Sequence, residues 1–299
     1  MNISALFEHK KVLFSLEIFP PKKDTSYNVI YNTLLKLRGL PVDFISVTYG
    51  AGGSEAQREK TVEIASLILA TYHIEPVAHL TCVSSDRQEV LQTLAKLKES
   101  HVQNVLALRG DITPTMTVKT DFKYASDLTR FIKETDPYFN VLGGCYPECH
   151  PECESLDQDI ENLKKKIDAG VSHLVTQLFF DNQAFYRFRD KVRHAGINIP
   201  IEAGIMPIIN KRQIERTVSM SGAKVPPKME RYINRYSDNP LALNDAGLNY
   251  ATEQIMDLID HDAQGIHLYT MNNVETATRI SENIQNIIAA ENTPVPEGK

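Results

Sequence analysis

The sequence predicts an α/β protein, a (β/α)8 TIM barrel with extra helices inserted between strands seven and eight. Short runs rich in β-branched and aromatic residues alternate with longer amphipathic stretches along almost the whole chain, which gives eight strand–helix units. Strands that alternate with helices must run parallel, and eight such units favour a closed barrel over an open sheet. No G-x-G-x-x-G string follows the first strand, which argues further against an open dinucleotide-binding sheet.

The first half of the chain supplies five of these units. The predicted strands are short, mainly apolar runs at Lys11–Ile18, Asp43–Thr48, Glu75–Thr81, Asn104–Leu108 and Asn140–Cys145. The helices after them have apolar residues at helical spacing and are predicted at Tyr27–Arg38, Ser54–Thr71, Arg87–Glu99, Lys123–Lys133 and Leu156–Ala169. The residues predicted to cap helices here are Ser54, Ser85 and Asp121 at N-termini and Gly170 at a C-terminus.

The second half repeats the pattern three times. The predicted strands are His173–Leu178, Pro200–Ile205 and Gly265–Tyr269, and the helices are Asn182–His194, capped by Asp181 and stopped by Gly196, then Lys211–Met220 and Val274–Ala290. The segment Ala223–Asp262 is extra, and it contains two predicted helices, Pro227–Tyr236 and Pro240–Asp260. We interpret it as an insertion into the barrel. A single catalytic domain is therefore expected over residues 1–290, with a flexible tail over residues 291–299.

Composition limits the classes of partner. The chain has 299 residues, 42% of them hydrophobic and 23% charged, which is typical of a globular protein with a large core. A net charge of −6 argues against nucleic acid or an anionic membrane as the main partner, since both favour a basic surface. The N-terminus has no signal-peptide core, and the longest apolar stretch, Ile64–Tyr72, is far too short to span a bilayer. We expect a cytoplasmic location.

Three of the four cysteines form a C-x3-C-x3-C pattern around His150, namely Cys145, Cys149 and Cys153. Structural metal sites favour tighter pairs such as C-x2-C with a second pair at a distance. Two prolines also interrupt this segment, so the ligands would not share a helical face. The sequence therefore predicts no metal site, and we interpret these cysteines as incidental to a functional loop.

Polar residues end several of the apolar runs, at intervals of roughly thirty residues. Glu17, Thr48, Asp111 and Gln177 all hold this position. In a (β/α)8 barrel the C-terminal ends of the strands converge on one face, where active sites form. We therefore expect these side chains to line a common pocket.

Glu17 is the strongest candidate for acid–base chemistry, because it lies among large apolar residues in LEIFPPK. A buried carboxyl group holds its proton more readily than an exposed one, which suits a general acid near neutral pH. The alternative is a glutamate paired with an interior Lys or Arg. Asp111, after Arg109 and Gly110, could lie beside a reacting centre where Gly110 allows close approach of a flat ligand. It could equally cap a turn before Pro114.

Other candidates have a structural alternative of similar weight. His79 and Thr48 could be satisfied core residues, and the glycine pair in Ala51–Gly53 could bind phosphate or form an ordinary turn. The spacing of Asp159, Asn162 and Lys166 places them on one helical face, which could be functional or merely solvated. Tyr146 and His150 lie in a proline-rich loop, CYPECHPE, whose rigidity suits ligand contact but does not require it.

Taken together, the strings LEIFPPK, SVTYGAGGS, AHLTC, ALRGD, YASDL, YPECHPE, DAGVSHLVTQLFFD and HLYTMN resemble the flavin-dependent methylenetetrahydrofolate reductases, in order and over nearly the whole chain. The resemblance implies a barrel that binds FAD at the C-terminal ends of its strands. It also implies ping-pong reduction of 5,10-methylenetetrahydrofolate to 5-methyltetrahydrofolate by NADH or NADPH, which supplies methyl groups for methionine synthesis. We expect small-molecule substrates and a homo-oligomer.

The resemblance also implies roles for individual residues. Glu17 would be the general acid that opens the methylene bridge to a 5-iminium cation, Asp111 would stabilise that cation beside the flavin, and Gln177 would bind the folate. The residues implied to line the FAD site are Thr48, His79, Arg109, Gly110, Asp111, Tyr124, Ala125, Tyr146, His150, Asp159, Asn162 and Lys166. With the hydride carried by the cofactor, the protein supplies orientation and charge.

Two positions depart from the family pattern. Asn210-Lys211 stands where many members have an aromatic residue, and Asn273 stands where many have an arginine. The chain otherwise resembles the compact bacterial form of the family. Another FAD barrel, such as a proline-dehydrogenase-like enzyme, is the alternative, and it would keep the flavin but change the substrate. A metal- or Schiff-base-dependent lyase would need a strand-end lysine or a carboxylate–histidine cluster, which the predicted strands lack.

Overall fold

The computed structural model describes residues 1–21, 28–49, 55–112 and 118–293 of the chain. Within these residues, eight parallel strands close into a barrel in which each strand pairs with its neighbours in sequence and the first pairs with the last. The strands are β1 (Leu13–Ile18), β2 (Phe44–Val47), β3 (Glu75–Thr81), β4 (Asn104–Leu108), β5 (Asn140–Cys145), β6 (Val171–Thr176), β7 (Ile201–Ile205) and β8 (Gly265–Tyr269). The predicted (β/α)8 fold is confirmed.

Helices connect the strands on the outside of the barrel. They are α1 (Asn28–Leu37), α2 (Glu55–Leu67), α3 (Arg87–Glu99), α4 (Ala125–Thr135), α5 (Leu156–Asp168), α6 (Asn182–His194), α7 (Lys211–Ser221), α8 (Pro227–Tyr236), α9 (Pro240–Asp260) and α10 (Val274–Glu291). Two short elements were not predicted, a 3-10 helix at Ile3–Glu8 and a π-helical turn at Ile68–Tyr72 that prolongs α2. The helices α8 and α9 form the predicted insertion between β7 and β8. None of the described helices is both long and apolar enough to cross a membrane.

Strand β6 (Val171–Thr176) begins and ends two residues earlier than the predicted strand His173–Leu178. The backbone N–H of Gln177 still donates to Cys145 O at 2.7 Å, as the parallel ladder requires. The next N–H, that of Leu178, instead donates to the side-chain Oε1 of Gln177 at 2.9 Å. The strand therefore ends at Thr176, because the glutamine side chain replaces the neighbouring strand as acceptor.

Some of the predicted helix caps are present in the structure and others are not. Asp181 caps α6, and Gly170 and Gly196 follow helices with left-handed φ values of 113° and 83°, as predicted. Ser85 does not cap α3; Asp86 does, through a capping box with Glu89. Asp121 does not cap α4 either, and its carboxylate accepts instead from the N–H of Arg87 at 3.0 Å. The backbone N–H groups that precede α4 bond to the side chain of Asp127.

The interior of the barrel is closed at the N-terminal ends of the strands. Ile3 of the 3-10 helix is fully buried and packs against inward-facing apolar residues from the strands, namely Phe44, Val77, Leu106, Leu142 and Val175. Its N–H donates to Asn104 Oδ1 at 3.0 Å, and Ser4 Oγ lies 2.8 Å from His173 Nδ1. We call this contact set the barrel floor. Within the described residues, this end of the barrel is therefore covered, which leaves the opposite end as the candidate site of ligand entry.

The insertion packs tightly on the loop after β7. Gly247 in α9 has no room for a side chain, because a Cβ atom there would lie 1.6 Å from Ile208 O. At the C-terminus, Asn292 is held by two hydrogen bonds to the backbone of Val12, at 2.9 and 2.8 Å. Residues 294–299 of the predicted tail lie outside the described part of the chain.

Candidate active site

Glu17 lies one residue before the end of β1, and its side chain enters the mouth of the barrel. It is 7% exposed. Its Oε2 lies 3.6 Å from Nε2 of His79 on β3 and 3.6 Å from Nε2 of His267 on β8. Among the described residues, the side chains within ion-pair distance of Glu17 are therefore imidazoles, not the Lys or Arg of the structural alternative.

His79 and Thr48 are buried, but the alternative that both are satisfied core residues is not supported. Among the described residues, neither His79 Nε2 nor Thr48 Oγ1 has a hydrogen-bond partner. Burial lowers the pKa of His79 to about 4. The charge of Glu17 acts in the opposite direction and raises this pKa, whereas His267 lowers it further. His79 is thus neutral at pH 7. Two buried polar atoms without partners at the mouth of a barrel suit a polar ligand.

Arg109 and Asp111 follow β4 at the rim of the mouth. The guanidinium of Arg109 forms a bidentate ion pair with Glu152, in which the Nη2–Oε1 distance is 2.8 Å. The ion pair raises the pKa of Arg109, whereas burial alone would lower it. Asp111 is exposed, and its carboxylate helps to raise the pKa of Tyr146, whose burial is the larger cause. The structure therefore places Arg109, Asp111 and Tyr146 near one another at the rim.

The loop after β5 holds Tyr146 and His150 in contact. Their ring centroids are 4.6 Å apart at an interplanar angle of 74°. Burial raises the pKa of Tyr146 to about 12, so the phenol is neutral at pH 7. Burial also lowers the pKa of His150, and Arg109 adds to this effect. This part of the site therefore presents a neutral, aromatic surface.

The predicted common face of Asp159, Asn162 and Lys166 is confirmed on α5, where all three are partly buried. Asp159 Oδ2 accepts from the backbone N–H of His150 at 2.8 Å. Lys166 Nζ donates to Gly144 O at 2.7 Å, and burial lowers the pKa of its ammonium group. The face is thus packed under the Tyr146–His150 loop and is not simply solvated.

The cysteines near this loop are free thiols. Cys153 Sγ lies 3.8 Å from Asp159 Oδ1 and 3.7 Å from Asn162 Nδ2. Burial raises the pKa of the Cys145 thiol far above its usual range. Within the described part of the chain, no group of three or more His, Cys, Asp or Glu side chains is arranged to hold a metal ion.

The remaining predicted site residues lie at the rim of the barrel mouth. Gln177 follows β6 and is partly exposed, whereas Tyr124 is 52% exposed and begins α4 beside the buried Ala125. Gly110 has a left-handed φ of 84°, and a Cβ atom there would lie 2.9 Å from Val83 Cγ2. The glycine is therefore required by packing against the end of β3. The glycine pair at residues 51–53 and the turn before Pro114 lie outside the described residues.

The sequence reasoning missed residues from β8 and its loop. His267 and Tyr269 alternate along the strand, so both point into the barrel, as Ser15 and Glu17 do on β1. The hydroxyl of Tyr269 donates to Thr176 O at 2.7 Å, and burial raises its pKa well above the usual value, helped by Glu17 and Tyr146. Polar residues two apart in an otherwise apolar strand were the available signal.

The loop after β8 also braces the loop after β1. Thr270 Oγ1 donates to Glu17 O at 2.6 Å, and the Asn272 side chain bonds both backbone groups of Phe19. The two family departures have a local reason, because Asn210 is the N-cap of α7 and Asn273 is the N-cap of α10. Each side chain accepts a hydrogen bond from a helix N–H, a contact that an arginine cannot make because it has no acceptor atom.

A closed parallel barrel with a buried carboxylate, two imidazoles and an aromatic loop at the C-terminal ends of its strands defines a barrel enzyme. The family model described as methylenetetrahydrofolate reductase matches residues 2–285. The chain therefore belongs to the methylenetetrahydrofolate reductase family.

Relatives agree with this assignment. The chain is 34% identical over 281 residues to the 5,10-methylenetetrahydrofolate reductase of Escherichia coli K12, covering 94% of this chain and 93% of that protein. It is 34% identical over 297 residues to methylenetetrahydrofolate reductase (NADH) 1 of Arabidopsis thaliana, covering 95% of this chain and 50% of that protein. The chain thus spans about half the length of the plant relative and nearly all of the bacterial one.

Solved structures support the fold alone. An uncharacterised protein from Clostridium thermocellum that binds two copies of 5-methyl-5,6,7,8-tetrahydrofolic acid has a TM-score of 0.66 and 13% sequence identity, covering 97% of this chain and 100% of that chain. A 2,3-dimethylmalate lyase has a TM-score of 0.52 and 8% identity, covering 100% of this chain and 91% of that one. Such different named proteins share the barrel, so function depends on the side chains at the mouth.

Proposed function

We propose that this chain reduces 5,10-methylenetetrahydrofolate to 5-methyltetrahydrofolate, with FAD as bound cofactor and NADH or NADPH as reductant. The observation that carries the proposal is Glu17, a carboxyl group inside the barrel mouth with imidazoles at 3.6 Å on two sides. A carboxyl group in such a place costs free energy unless it is used or compensated. Family membership connects it to folate chemistry.

The residues at the mouth fit a flavin. The unpartnered Thr48 Oγ1 and His79 Nε2 offer hydrogen-bonding atoms that nothing in the described protein occupies. Residues that would hold FAD on this proposal are Thr48, His79, Arg109, Gly110, Asp111, Tyr124, Ala125, Tyr146, His150, Asp159, Asn162 and Lys166. When bound, FAD would accept a hydride from the nicotinamide and pass it to the folate.

Glu17 would act as the general acid on the folate. Opening the methylene bridge releases an amine nitrogen, and the bond breaks more easily if that nitrogen receives a proton at the same time. Glu17 is buried at the mouth and can hold a proton away from bulk water. Asp111 would then supply the negative charge that stabilises the resulting cation, and Gln177 would hydrogen-bond the folate.

The barrel floor supports a ping-pong order, because both substrates must use the one open end. The nicotinamide would leave before the folate enters. The product, a methylated folate, would supply methyl groups for methionine synthesis. We also propose a single catalytic domain over residues 1–290, a cytoplasmic location and a homo-oligomer, whose size light scattering would measure. Neither the matching family nor the relatives favour the alternative of another flavin barrel.

Anaerobic spectroscopy tests the proposed function. Purified protein incubated with FAD should bind it non-covalently in a 1:1 ratio and show a flavin spectrum. NADH or NADPH should bleach that spectrum, and 5,10-methylenetetrahydrofolate should restore it with formation of 5-methyltetrahydrofolate. A protein that stays colourless after incubation with FAD, or a flavin that the folate does not reoxidise, would contradict the proposal.

A further inference from the structure

Below Glu17 a line of buried polar side chains crosses the barrel, and the proposed function does not use it. Glu202 on β7 is fully buried, as are Ser15 on β1 and His267 on β8. Ser15 Oγ lies 2.7 Å from His267 Nδ1 and 3.4 Å from Glu202 Oε1. His267 Nε2 in turn lies 3.6 Å from Glu17 Oε2. We call Glu202, Ser15 and His267 the buried relay.

Glu202 is held in place by the packing around it. Gly265 faces it from β8, and a Cβ atom at Gly265 would lie only 2.6 Å from Glu202 Cγ. The chain therefore leaves room here for a glutamate side chain. Its basic neighbour within ion-pair distance is His173, whose Nε2 lies 3.9 Å from Glu202 Oε2 and has no hydrogen-bond partner among the described residues.

Among the described residues, Glu202 has no cation within ion-pair distance to compensate a negative charge. Burial lowers the pKa of His173 to about 3, so that imidazole is neutral at pH 7. Burial also raises the pKa of Glu202 well above its usual value, and the carboxylate of Asp43 adds to this. These effects favour the protonated form of Glu202, a carboxylic acid that can donate one hydrogen bond.

We propose that Glu202 is a positioning residue that fixes the tautomer of His267, and through it orients and stabilises Glu17. Ser15 Oγ lies 3.4 Å from Glu202 Oε1 and 3.4 Å from Ile266 O, either of which could accept from its hydroxyl. In the proposed arrangement a protonated Glu202 is instead the donor to Ser15 Oγ, and the hydroxyl of Ser15 donates over the shorter, 2.7 Å contact to His267 Nδ1. That leaves the imidazole proton on Nε2, which faces Glu17. The proposal rests on the proposed function for the role of Glu17, but not for the tautomer.

The surroundings of His267 hold its ring for this task. The ring stacks on Phe44 with centroids 6.1 Å apart and meets Tyr269 edge-on at 5.2 Å. Besides Glu17, Nε2 faces Ser46 Oγ on β2 at 3.4 Å. Among the described residues, the titratable groups that face Glu17 are thus His79 from β3 and His267 and Tyr269 from β8. When Glu17 gives up its proton, the Nε2–H of His267 is the donor placed to stabilise the carboxylate.

Nitrogen-15 NMR of histidine-labelled protein tests the tautomer without any enzyme assay. The nine histidines are resolved by comparison with His267→Gln, which lacks the His267 signals. The proposal expects a neutral His267 with its proton on Nε2 in the wild type and in Glu202→Gln, because the amide N–H₂ replaces the acid as donor to Ser15. Ser15→Ala and Glu202→Leu should shift the proton toward Nδ1. A doubly protonated His267, or a wild-type proton on Nδ1, would overturn the proposal.

Infrared difference spectroscopy tests the protonation of Glu202 directly. A band of a protonated carboxylic acid should be present in the wild type and missing in Glu202→Gln at pH 7. If no such band is lost, Glu202 is ionised and cannot donate to Ser15, which would overturn the proposal. Because this measurement and the wild-type tautomer need no destabilising variant, the proposal stays testable even if Glu202→Leu does not fold.

The half-reactions then measure the effect on Glu17. Ser15→Ala and Glu202→Leu should slow the folate half-reaction by about tenfold relative to Glu202→Gln, as expected for the loss of one hydrogen bond. They should also move the alkaline limb of its pH profile to higher pH and leave flavin reduction by nicotinamide within about twofold. The control Ser281→Ala removes a buried hydroxyl on α10 that has no hydrogen-bond partner in the described part of the chain, and it should change neither rate. Equal losses in both half-reactions would mean that the relay is only structural.

Discussion

At the scale of single residues, Glu17 and Asp111 divide the proposed chemistry between a proton donor and a fixed charge. Glu17 is buried at the barrel mouth, whereas Asp111 is exposed at the rim beside Arg109. A donor that must keep its proton from water benefits from burial, while an anion that stabilises a cation needs only a fixed position close to it. Replacing each by its amide therefore has a different expected outcome.

Glu17→Gln should abolish folate reduction and leave flavin reduction by NADH or NADPH largely intact. The amide keeps the shape of the side chain and loses the acidic proton, which only the folate half-reaction requires. Stopped-flow absorbance measures the two half-reactions separately. Equal losses in both would show that Glu17 is structural or binds both substrates.

Asp111→Asn should slow the folate half-reaction more than the nicotinamide one and raise the midpoint potential of the bound flavin. Removing an anion favours the reduced, more negative form of the flavin and also removes the counter-charge to the cationic folate. Loss of one such charge typically costs roughly 2–4 kcal/mol, or about two orders of magnitude in rate. A variant with the wild-type potential and folate rate would show that Asp111 only caps a turn.

Of the five buried polar residues at and below the barrel mouth discussed above, sequence reasoning identified two. Glu17 was found because a carboxylate among apolar residues requires a reason, and His79 was found through the family strings. His267, Ser15 and Glu202 were missed, because a residue on one strand is brought to Glu17 only when the barrel closes. Strand phase was readable from alternation along each strand, but the contacts across the barrel axis depend on register.

At the scale of elements, the floor shows how a short segment can stabilise the whole barrel. Ile3 is fully buried in the barrel interior. Ile3→Ala should lower the free energy of unfolding by about 2–5 kcal/mol, because the lost methyl and methylene groups leave a cavity among side chains that cannot collapse into it. Urea denaturation followed by circular dichroism measures the change. Leu241→Ala is the matched control, since Leu241 is 79% exposed and should lose less than about 0.5 kcal/mol.

If Ile3→Ala unfolds at the same urea concentration as the control, the floor contributes little to stability.

The 3-10 helix of the floor also shows what could not be predicted from the sequence. Ten of the helices and all eight strands have a periodic pattern that identifies them. A six-residue 3-10 helix is too short for a period, and its purpose becomes visible only once the strands it covers are placed.

At the scale of the whole molecule, buried neutral histidines make stability depend on pH. The pKa of His79 is lowered to about 4 and that of His173 to about 3, each mainly because burial disfavours the charged form. The unfolded chain binds a proton at each of these residues near the ordinary pKa of 6.5. Below that pH the unfolded state therefore binds more protons than the folded one, and acid favours unfolding.

The free energy of unfolding should fall as the pH drops from about 6.5 to about 4, by up to about 1.4 kcal/mol per pH unit for each of the two residues. The contribution of His173 should continue to about pH 3. Urea midpoints measured across this range test the slope. His173→Gln should make it shallower, whereas His9→Gln, at an exposed position, should not. An unchanged slope in His173→Gln would mean that this imidazole is charged in the folded protein.

The barrel floor also limits how substrates could enter and products could leave the barrel. Within the described part of the chain the floor closes one end of the barrel, so on the proposed function an outgoing product and an incoming substrate would share a single route at the mouth. Each turnover would then contain two departures that must be complete before the next arrival. The slower departure would place a ceiling on the turnover rate, whatever the speed of the chemistry inside.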